Sequence, residues 1–335
     1  MAAWEAHMGI FTYVGGVLLS ALPIIAAVAG GILLLVLGTA LVCFFMVFYS
    51  PTRKPLGEGE YQIPPGEVYA PFRDAIIGWT DDIRAMPHEQ VSITSHDGLT
   101  LRGRYYEFSP DAPMELMFHG YKGNAERDLC GGVARAFAVG HSALIVDHRA
   151  SGTSDGHIIS FGINEHKDCL RWIEFAREHY GADKRLILTG ISMGAATVMM
   201  ASGCELPDNI LYVLADCGYT SPREIIKKVM RDMHLPTGIF YPFVKLGARL
   251  FGRFDLEETS PVEAMARCRV PVVFAHGDND AYVPCDMSRE NYAVCHTPKK
   301  LIIIHGAGHG LCYPASQEEY VAALIESEKE FGIRE

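Results

Sequence analysis

The chain opens with a long apolar stretch that predicts a membrane segment. Between Met8 and Thr52 there is no Asp, Glu, Lys, Arg or His, and a helix that spans a bilayer needs about 20 apolar residues. We therefore expect one tilted membrane helix from about Pro23 to Tyr49, with residues 8–22 in or near the interface. The alternative is a hairpin that turns near Gly30-Gly31. It is less favoured because its turn would leave backbone groups without polar partners.

Beyond this stretch, the pattern of apolar and polar positions predicts a sheet covered by helices. Residues 90–94 and 100–108 alternate apolar and polar side chains on either side of an Asp-Gly pair, which is typical of a β-hairpin. Short apolar runs then alternate with helical patterns, an order that favours a mostly parallel sheet with both faces covered. The predicted strands are 116–119, 143–147, 186–189, 210–216, 270–276 and 300–305, and the predicted helices are 126–139, 165–180, 193–203 and 317–331.

Proline content and periodicity divide the chain into three parts. Residues 1–50 are the membrane segment. Residues 51–88 carry several prolines and little periodicity, so we expect a linker with one short helix near residues 68–79. Residues 89–335 form the α/β domain.

An insertion at about residues 218–266 interrupts the alternation of strands and helices, with a helix predicted at 222–235. An insertion this long often forms a lid or cap. It is rich in apolar side chains, Phe240 and Phe243 among them. Three interpretations stay open: these side chains pack over the sheet, bind an acyl chain, or touch the bilayer.

The composition narrows the function classes. The net charge is −11 and no basic stripe contains interleaved aromatic residues, so no nucleic-acid partner is predicted. The nine cysteines are scattered without a C-x-x-C pair, which argues against a disulfide framework and indicates a reducing compartment. Arg53 and Lys54 follow the apolar stretch, whose amino-terminal side has neither Lys nor Arg, so the positive-inside rule places the large domain in the cytoplasm. No H-E-x-x-H or similar spacing exists, and no metal is expected.

The pentapeptide Gly190-Ile191-Ser192-Met193-Gly194 is the strongest sign of chemistry. It lies between an apolar run and a helical pattern of small residues, so the serine would stand on a sharp strand-to-helix turn that needs glycine on both sides. A serine hydroxyl needs a nearby base, and that base needs an orienting carboxylate. Candidates occur after two later strands, in residues 276–284 and 306–310, in the chain order Ser, Asp, His.

Five motifs between residues 88 and 335 together form one recognisable pattern. They are His119-Gly120-Tyr121 with Gly123-Asn124, Asp147 to Ser154, the pentapeptide, His276 to Pro284, and Gly308-His309-Gly310. In these motifs the sequence resembles the α/β-hydrolase superfamily. Within it, the sequence is similar to membrane-anchored bacterial hydrolases of the serine-aminopeptidase-like group and to eukaryotic hydrolase-domain proteins that act on lipids and acylated proteins. The family usually has Tyr at His148, a change expected to be tolerated because this position supports a loop.

The resemblance implies an α/β-hydrolase fold, with a mostly parallel central sheet, helices on both faces and a helical cap, after the N-terminal transmembrane helix. The implied nucleophile, base and acid are Ser192, His309 and Asp280. The implied oxyanion-hole donors are the backbone N–H groups of Met193 and Tyr121. Asp280 is chosen because the family's acid stands three residues before a Val-Pro pair. Asp278 and Asp216 are the alternative acids.

We expect a membrane-anchored serine hydrolase that cleaves an ester or thioester of a hydrophobic acyl group through an acyl-enzyme, without a cofactor. Its partners would be a lipid-like acyl substrate and the bilayer, and the substrate contacts would come from Phe240, Phe243 and Tyr121. The oligomeric state is not predicted.

Two other functions compete with this expectation. An aminopeptidase or amidase would use the same three residues but would need an acidic group near the site, for which Asp278 and the pair Glu257-Glu258 are candidates. An inactive membrane scaffold is disfavoured because every catalytic position is present.

Overall fold

The computed structural model describes residues 2–51 and 59–335 and is built around an eight-stranded sheet with the order β1-β2-β4-β3-β5-β6-β7-β8. The strands are β1 (Glu89–Thr94), β2 (Thr100–Tyr106), β3 (Met114–Phe118), β4 (Ser142–Val146), β5 (Leu186–Ile191), β6 (Ile210–Asp216), β7 (Val272–Gly277) and β8 (Lys299–Ile304). β2 runs antiparallel to β1 and β4, and the other neighbouring strands are parallel. The predicted mostly parallel sheet and hairpin are therefore confirmed.

Burial along the strands explains why the sequence could predict them. Every residue of β3 and β4 is buried, as expected for parallel strands that are covered on both faces. β1 lies at the edge of the sheet and alternates exposed and buried residues over its second half. The same period of two is visible in the sequence.

Helices cover both faces of the sheet. The helices that follow the linker are α2 (Arg73–Ala85), α3 (Ala125–Val139), α4 (Glu165–Tyr180), α5 (Met193–Ser202), α6 (Pro222–Asp232), α7 (Thr237–Gly247), α8 (Pro261–Met265), α9 (Cys285–Val294), α10 (Cys312–Ala315) and α11 (Gln317–Glu330). α3 and α11 pack together on one face, and α4 and α5 pack on the other. Helix α9 was not predicted.

The N-terminal helix α1 (Ala2–Val47) is continuous. It passes through Pro23 and Gly30-Gly31 without a turn, so the hairpin alternative is wrong. Its part from Ala21 to Val47 is long and apolar enough to cross a membrane. Arg53 and Lys54, on which the predicted orientation rests, lie outside the described residues.

The last turns of α1 are packed into the domain. Ala40, Phe44 and Phe48 are buried, and the rings of Phe48 and Phe254 meet edge to face with their centroids 5.2 Å apart. A Cβ atom at Gly247 of α7 would lie 2.6 Å from the carbonyl oxygen of Ala40. The C-terminal end of the apolar helix α1 is therefore buried against the insertion between β6 and β7.

The linker is more ordered than its prolines suggest. A 3₁₀ helix at Glu67–Phe72 leads directly into α2, where the sequence predicts a single short helix at 68–79. The buried residues of α2 are Ile76, Thr80 and Ile83, spaced three and four residues apart, and they face α3. The segment is thus a packed layer on α3.

The insertion between β6 and β7 contains α6, α7 and α8, with a π-helical turn at Ala248–Gly252 after α7. The helix predicted at 222–235 ends at Asp232. The buried side chains of α7 are Tyr241 and Val244, and they join one apolar cluster with Phe44 of α1 and Phe48, the residue that follows α1.

Candidate active site

The turn at Ser192 connects β5 to α5 in a conformation that few residues adopt. Ser192 has φ 56° and ψ −113°, a strained backbone for a residue with a side chain. A Cβ atom at Gly190 would lie 2.1 Å from the carbonyl oxygen of Gly194, and one at Gly194 would lie 1.9 Å from that of Phe118. Both glycines of the pentapeptide are therefore required by close backbone contacts.

The structure brings Ser192, His309 and Asp280 together. The Nε2 atom of His309 lies 2.9 Å from the Ser192 hydroxyl oxygen. The Nδ1 atom of His309 lies 2.6 Å from an Asp280 carboxylate oxygen. A carboxylate only accepts hydrogen bonds, so Nδ1 carries the proton and Nε2 accepts from the serine hydroxyl. This is the tautomer that a general base for serine requires.

Asp280 is held as a carboxylate by its surroundings. One of its oxygens accepts hydrogen bonds from the backbone N–H groups of Tyr282 and Val283, both at 2.8 Å. Burial opposes ionisation, but hydrogen bonds from His276 and His309 hold the pKa of Asp280 well below its usual range. Its negative charge therefore faces the imidazole.

The two alternative acids have other partners. Asp278 contacts the ring of His305 at 2.7 Å and accepts from the Gly306 N–H group. Asp216 is buried at the end of β6 and accepts from the Tyr320 hydroxyl at 2.9 Å. Neither carboxylate contacts His309, which favours Asp280.

The two predicted oxyanion donors flank Ser192. Met193 is the first residue of α5, so its N–H group has no intrahelical acceptor. Tyr121 lies in a turn closed by a hydrogen bond from the Gly123 N–H group to the Gly120 carbonyl. A Cβ atom at Gly120 would lie only 3.6 Å from that of Ser192. The loop of Tyr121 and the start of α5 therefore meet at Ser192, and the role of the two N–H groups as oxyanion donors stays a prediction.

The loop that carries Tyr121 is held on both sides. His119 accepts a hydrogen bond from the backbone N–H group of His148, which places the unusual His148 in a supporting role. The Tyr121 hydroxyl donates to the carbonyl of Val47 at the end of α1, at 2.6 Å. The Lys122 ammonium donates to the carbonyl of Met46. The sequence gives no sign of these links to α1.

A cavity of about 640 Å³ opens beside Ser192, His309 and Tyr121. Its other walls come from the linker, α2, α3, α10 and the ends of β5 and β6. Phe240 and Phe243 are absent from the described residues that line it. The inner face of α7 packs against α1 instead. That these two residues contact the substrate stays a prediction.

One group of side chains has the spacing of a metal site. Ligand atoms of Cys217, Asp280 and His309 lie within 4.8 Å of one another. Asp280 and His309 already bind each other, and burial raises the pKa of the Cys217 thiol well above its ordinary value. A protonated thiol is a poor metal ligand, so these residues fit proton transfer better than metal binding.

Known proteins share this fold and parts of this sequence. Residues 116–240 match the family described as alpha/beta hydrolase fold. An esterase of Pyrococcus furiosus is similar in structure, with a TM-score of 0.62 at 21% identity over 84% of this chain and 98% of the esterase. The chain has the α/β-hydrolase fold. Its helical insertion between β6 and β7, which contains α6, α7 and α8, is termed the cap.

Two curated relatives match a shorter region of the chain. YqkD of Bacillus subtilis is 26% identical over 183 residues, which span 54% of this chain and 60% of YqkD. Protein bem46 of Schizosaccharomyces pombe is 26% identical over 222 residues, which span 64% of this chain and 68% of bem46.

Exchanging the acid for its amide tests which carboxylate serves His309. We expect Asp280→Asn to lower kcat for an activated ester by about 10⁴-fold, because an amide favours the wrong imidazole tautomer. Asp278→Asn is the matched control two residues away and should retain wild-type kcat. A large loss in the control, with an active Asp280→Asn protein, would contradict the assignment.

Proposed function

We propose that this protein is a membrane-anchored serine hydrolase that cleaves an ester or thioester of a hydrophobic acyl group. The observation that carries the proposal is the single imidazole of His309, hydrogen-bonded on one side to Ser192 and on the other to Asp280. A serine hydroxyl in this arrangement becomes a nucleophile at neutral pH.

The proposed reaction has two halves. The Ser192 oxygen attacks the acyl carbon while its proton passes to Nε2 of His309. His309 then gives that proton to the departing alkoxide or thiolate, which leaves an acyl group on Ser192. Water attacks this acyl-enzyme with His309 again as base, and the acid is released.

Charge that develops on the carbonyl oxygen would be stabilised by the N–H groups of Met193 and Tyr121. A donor aimed at a developing oxyanion contributes about 3–4 kcal/mol in subtilisin. Met193 adds the favourable field of a helix N-terminus, since it begins α5. The negative charge of Asp280 would stabilise the imidazolium that forms when His309 takes the proton.

A fluorophosphonate probe tests the nucleophile directly. Wild-type protein in membranes should be labelled and should hydrolyse p-nitrophenyl esters. Ser192→Ala should lose labelling and about 10⁶-fold in kcat, as the corresponding change does in subtilisin. Ser202→Ala, at the far end of α5, is a control that should keep both. If folded wild-type protein neither reacts with the probe nor cleaves esters, the inactive scaffold becomes the better interpretation.

An aminopeptidase or amidase is the second candidate, and one observation favours it. The carboxylate of Asp216 lines the cavity beside Ser192, and its Oδ1 atom is buried with no hydrogen-bond partner in the described part of the chain. Burial raises the pKa of Asp216, and a substrate ammonium would offset that penalty. The earlier candidates are engaged elsewhere: Asp278 with His305, Glu257 with Tyr241, and Glu258 with Lys167.

Matched ester and amide substrates with and without a free α-amino group separate the two candidates. If an amino terminus binds Asp216, Asp216→Asn should lower kcat/KM for amino-bearing substrates by about tenfold to a hundredfold and spare the others. For the ester hydrolase we expect no difference between the two substrate series. Asp278→Asn again serves as control.

The outer surface of the cap supports contact with the bilayer. Ile239, Phe243 and Leu250 lie on one face of α7 and its π-helical extension, and Ile239 and Leu250 are 60% and 47% exposed. α7 packs against α1, whose free face stays apolar down to Met46. We propose that this face of the cap continues the membrane-embedded surface of α1, with the catalytic domain in the cytoplasm.

A benzophenone amino acid at Ile239 tests this surface in the full chain. On irradiation in vesicles that contain a tagged phospholipid, we expect lipid adducts from position 239 and, as a positive control, from Val28 in the middle of the apolar helix. Glu326 on α11 is exposed and should give none. Adducts from position 28 alone would support the membrane helix and contradict contact between the cap and the bilayer.

A further inference from the structure

The cavity beside Ser192 lies on the opposite side of the sheet from the cap. Met117 and Leu214 line it, and both point to the face covered by α3 and α11. The cap packs with α1 and α5 on the other face. This cavity next to the nucleophile therefore does not lie beneath the cap.

The linker closes this cavity and touches the loop of the catalytic base. The Tyr69 hydroxyl donates to the backbone carbonyl of His309 at 2.9 Å. A Cβ atom at Gly308 would lie 2.8 Å from a methyl group of Val68. The segment that joins α1 to the domain thus forms a wall of the active site.

Helix α3 leaves room for the side chains that line this part of the cavity. Gly131 and Gly132 stand in its interior, where each glycine is less favourable than alanine. A Cβ atom at Gly131 would lie 2.9 Å from the Trp79 ring, and one at Gly132 would lie 3.3 Å from the sulfur of Met117. Trp79 also packs against Tyr313, with ring centroids 5.4 Å apart. The glycine pair allows apolar side chains from α2 and β3 to approach α3 closely.

The lining suits a hydrocarbon chain. Ile76, Trp79, Met117, Leu214 and Leu311 supply apolar surface, and the volume is in the range of small-ligand pockets. The cations at its border have partners: Arg127 pairs with Asp128, and Arg135 pairs with Glu115. Anionic substrate groups therefore gain little from these two cations.

We propose that this cavity binds the acyl chain of the substrate, and that Ile76, Trp79 and Met117 set the acceptable chain length. The substrate class is then an ester or thioester of a long, unbranched acyl group. The proposal rests on the serine hydrolase function proposed above. Each methylene that enters an apolar pocket should raise kcat/KM by about fourfold until the cavity is full.

Substitutions that fill the cavity should shorten the preferred chain. We expect Ile76→Phe and Met117→Phe to keep the wild-type kcat/KM for p-nitrophenyl butyrate and to lose about tenfold or more for the palmitate ester. Phe243→Ala on the cap is the matched control and should leave the chain-length profile unchanged. A profile that shifts with Phe243→Ala and not with the two filling variants would overturn the proposal.

A second measurement uses the unmodified chain and does not depend on how the variants fold. A long-chain fluorophosphonate with a diazirine at the chain end is first attached to Ser192 and then irradiated, and the cross-linked peptide is identified by mass spectrometry. Cross-links within 64–79 or 114–132 support the cavity, and cross-links within 237–252 overturn it. Absence of any attachment to Ser192 would instead contradict the hydrolase function itself.

Discussion

The rest of the site depends on the close contact between the turn at Ser192 and the end of β3. Because positions 190 and 194 leave no room for a Cβ atom, β5, the turn and α5 can lie directly against Phe118 and the loop that follows it. That approach sets Ser192 beside Gly120, next to the loop that carries Tyr121. The strained φ of Ser192 is held by α5, all of whose ten residues are buried, and by a hydrogen bond from the Ser192 N–H group to the Asp216 carbonyl.

The N-terminal helix α1 contacts the candidate site directly. The last carbonyl groups of any helix lack intrahelical donors, and at the end of α1 the carbonyls of Met46 and Val47 accept from Lys122 and Tyr121. These donors come from the loop that carries the proposed oxyanion N–H group of Tyr121. Seventeen residues after Val47, the linker and the start of α2 begin to cover the cavity (residues 64–79). The position of α1 and the geometry of the oxyanion loop are thus mechanically linked.

The sheet and the turn at Ser192 could be predicted from the sequence because each rests on a strong local pattern. The choice of Asp280 over Asp278 rested instead on the resemblance to α/β-hydrolases. Buried parallel strands read as apolar runs, and the glycines around Ser192 are dictated by local sterics. Helix α9, with its mixed sequence from Cys285 to Val294, has no comparable pattern, and its burial comes from packing on β7.

The cavity could not be placed from the sequence because distant segments form it. One local signal existed: Gly131-Gly132 in the interior of a predicted helix indicates close approach of another element. The aromatic residues of the cap suggested instead that substrate contacts lie in the cap. Apolar side chains on a cap have the same sequence signature whether they line a pocket, pack on a membrane helix or face lipid, and only the partner on each face distinguishes these cases.

An apolar insertion can both line an acyl pocket and contact a membrane segment. The cap of this protein separates these two roles. Its inner face is occupied by Phe44 of α1 and by Phe48, so it has little surface left for an acyl chain. The cap instead contacts the loop that carries Asp280. The Lys228 ammonium of α6 donates to the Ala281 carbonyl, and the neighbouring Tyr282 ring lies 5.1 Å from that of His309. A cap held by α1 therefore supports the base from one side while the linker closes the cavity on the other. In this arrangement an acyl chain would be bound between the membrane-proximal linker and the sheet, with the cap free to lie on the bilayer.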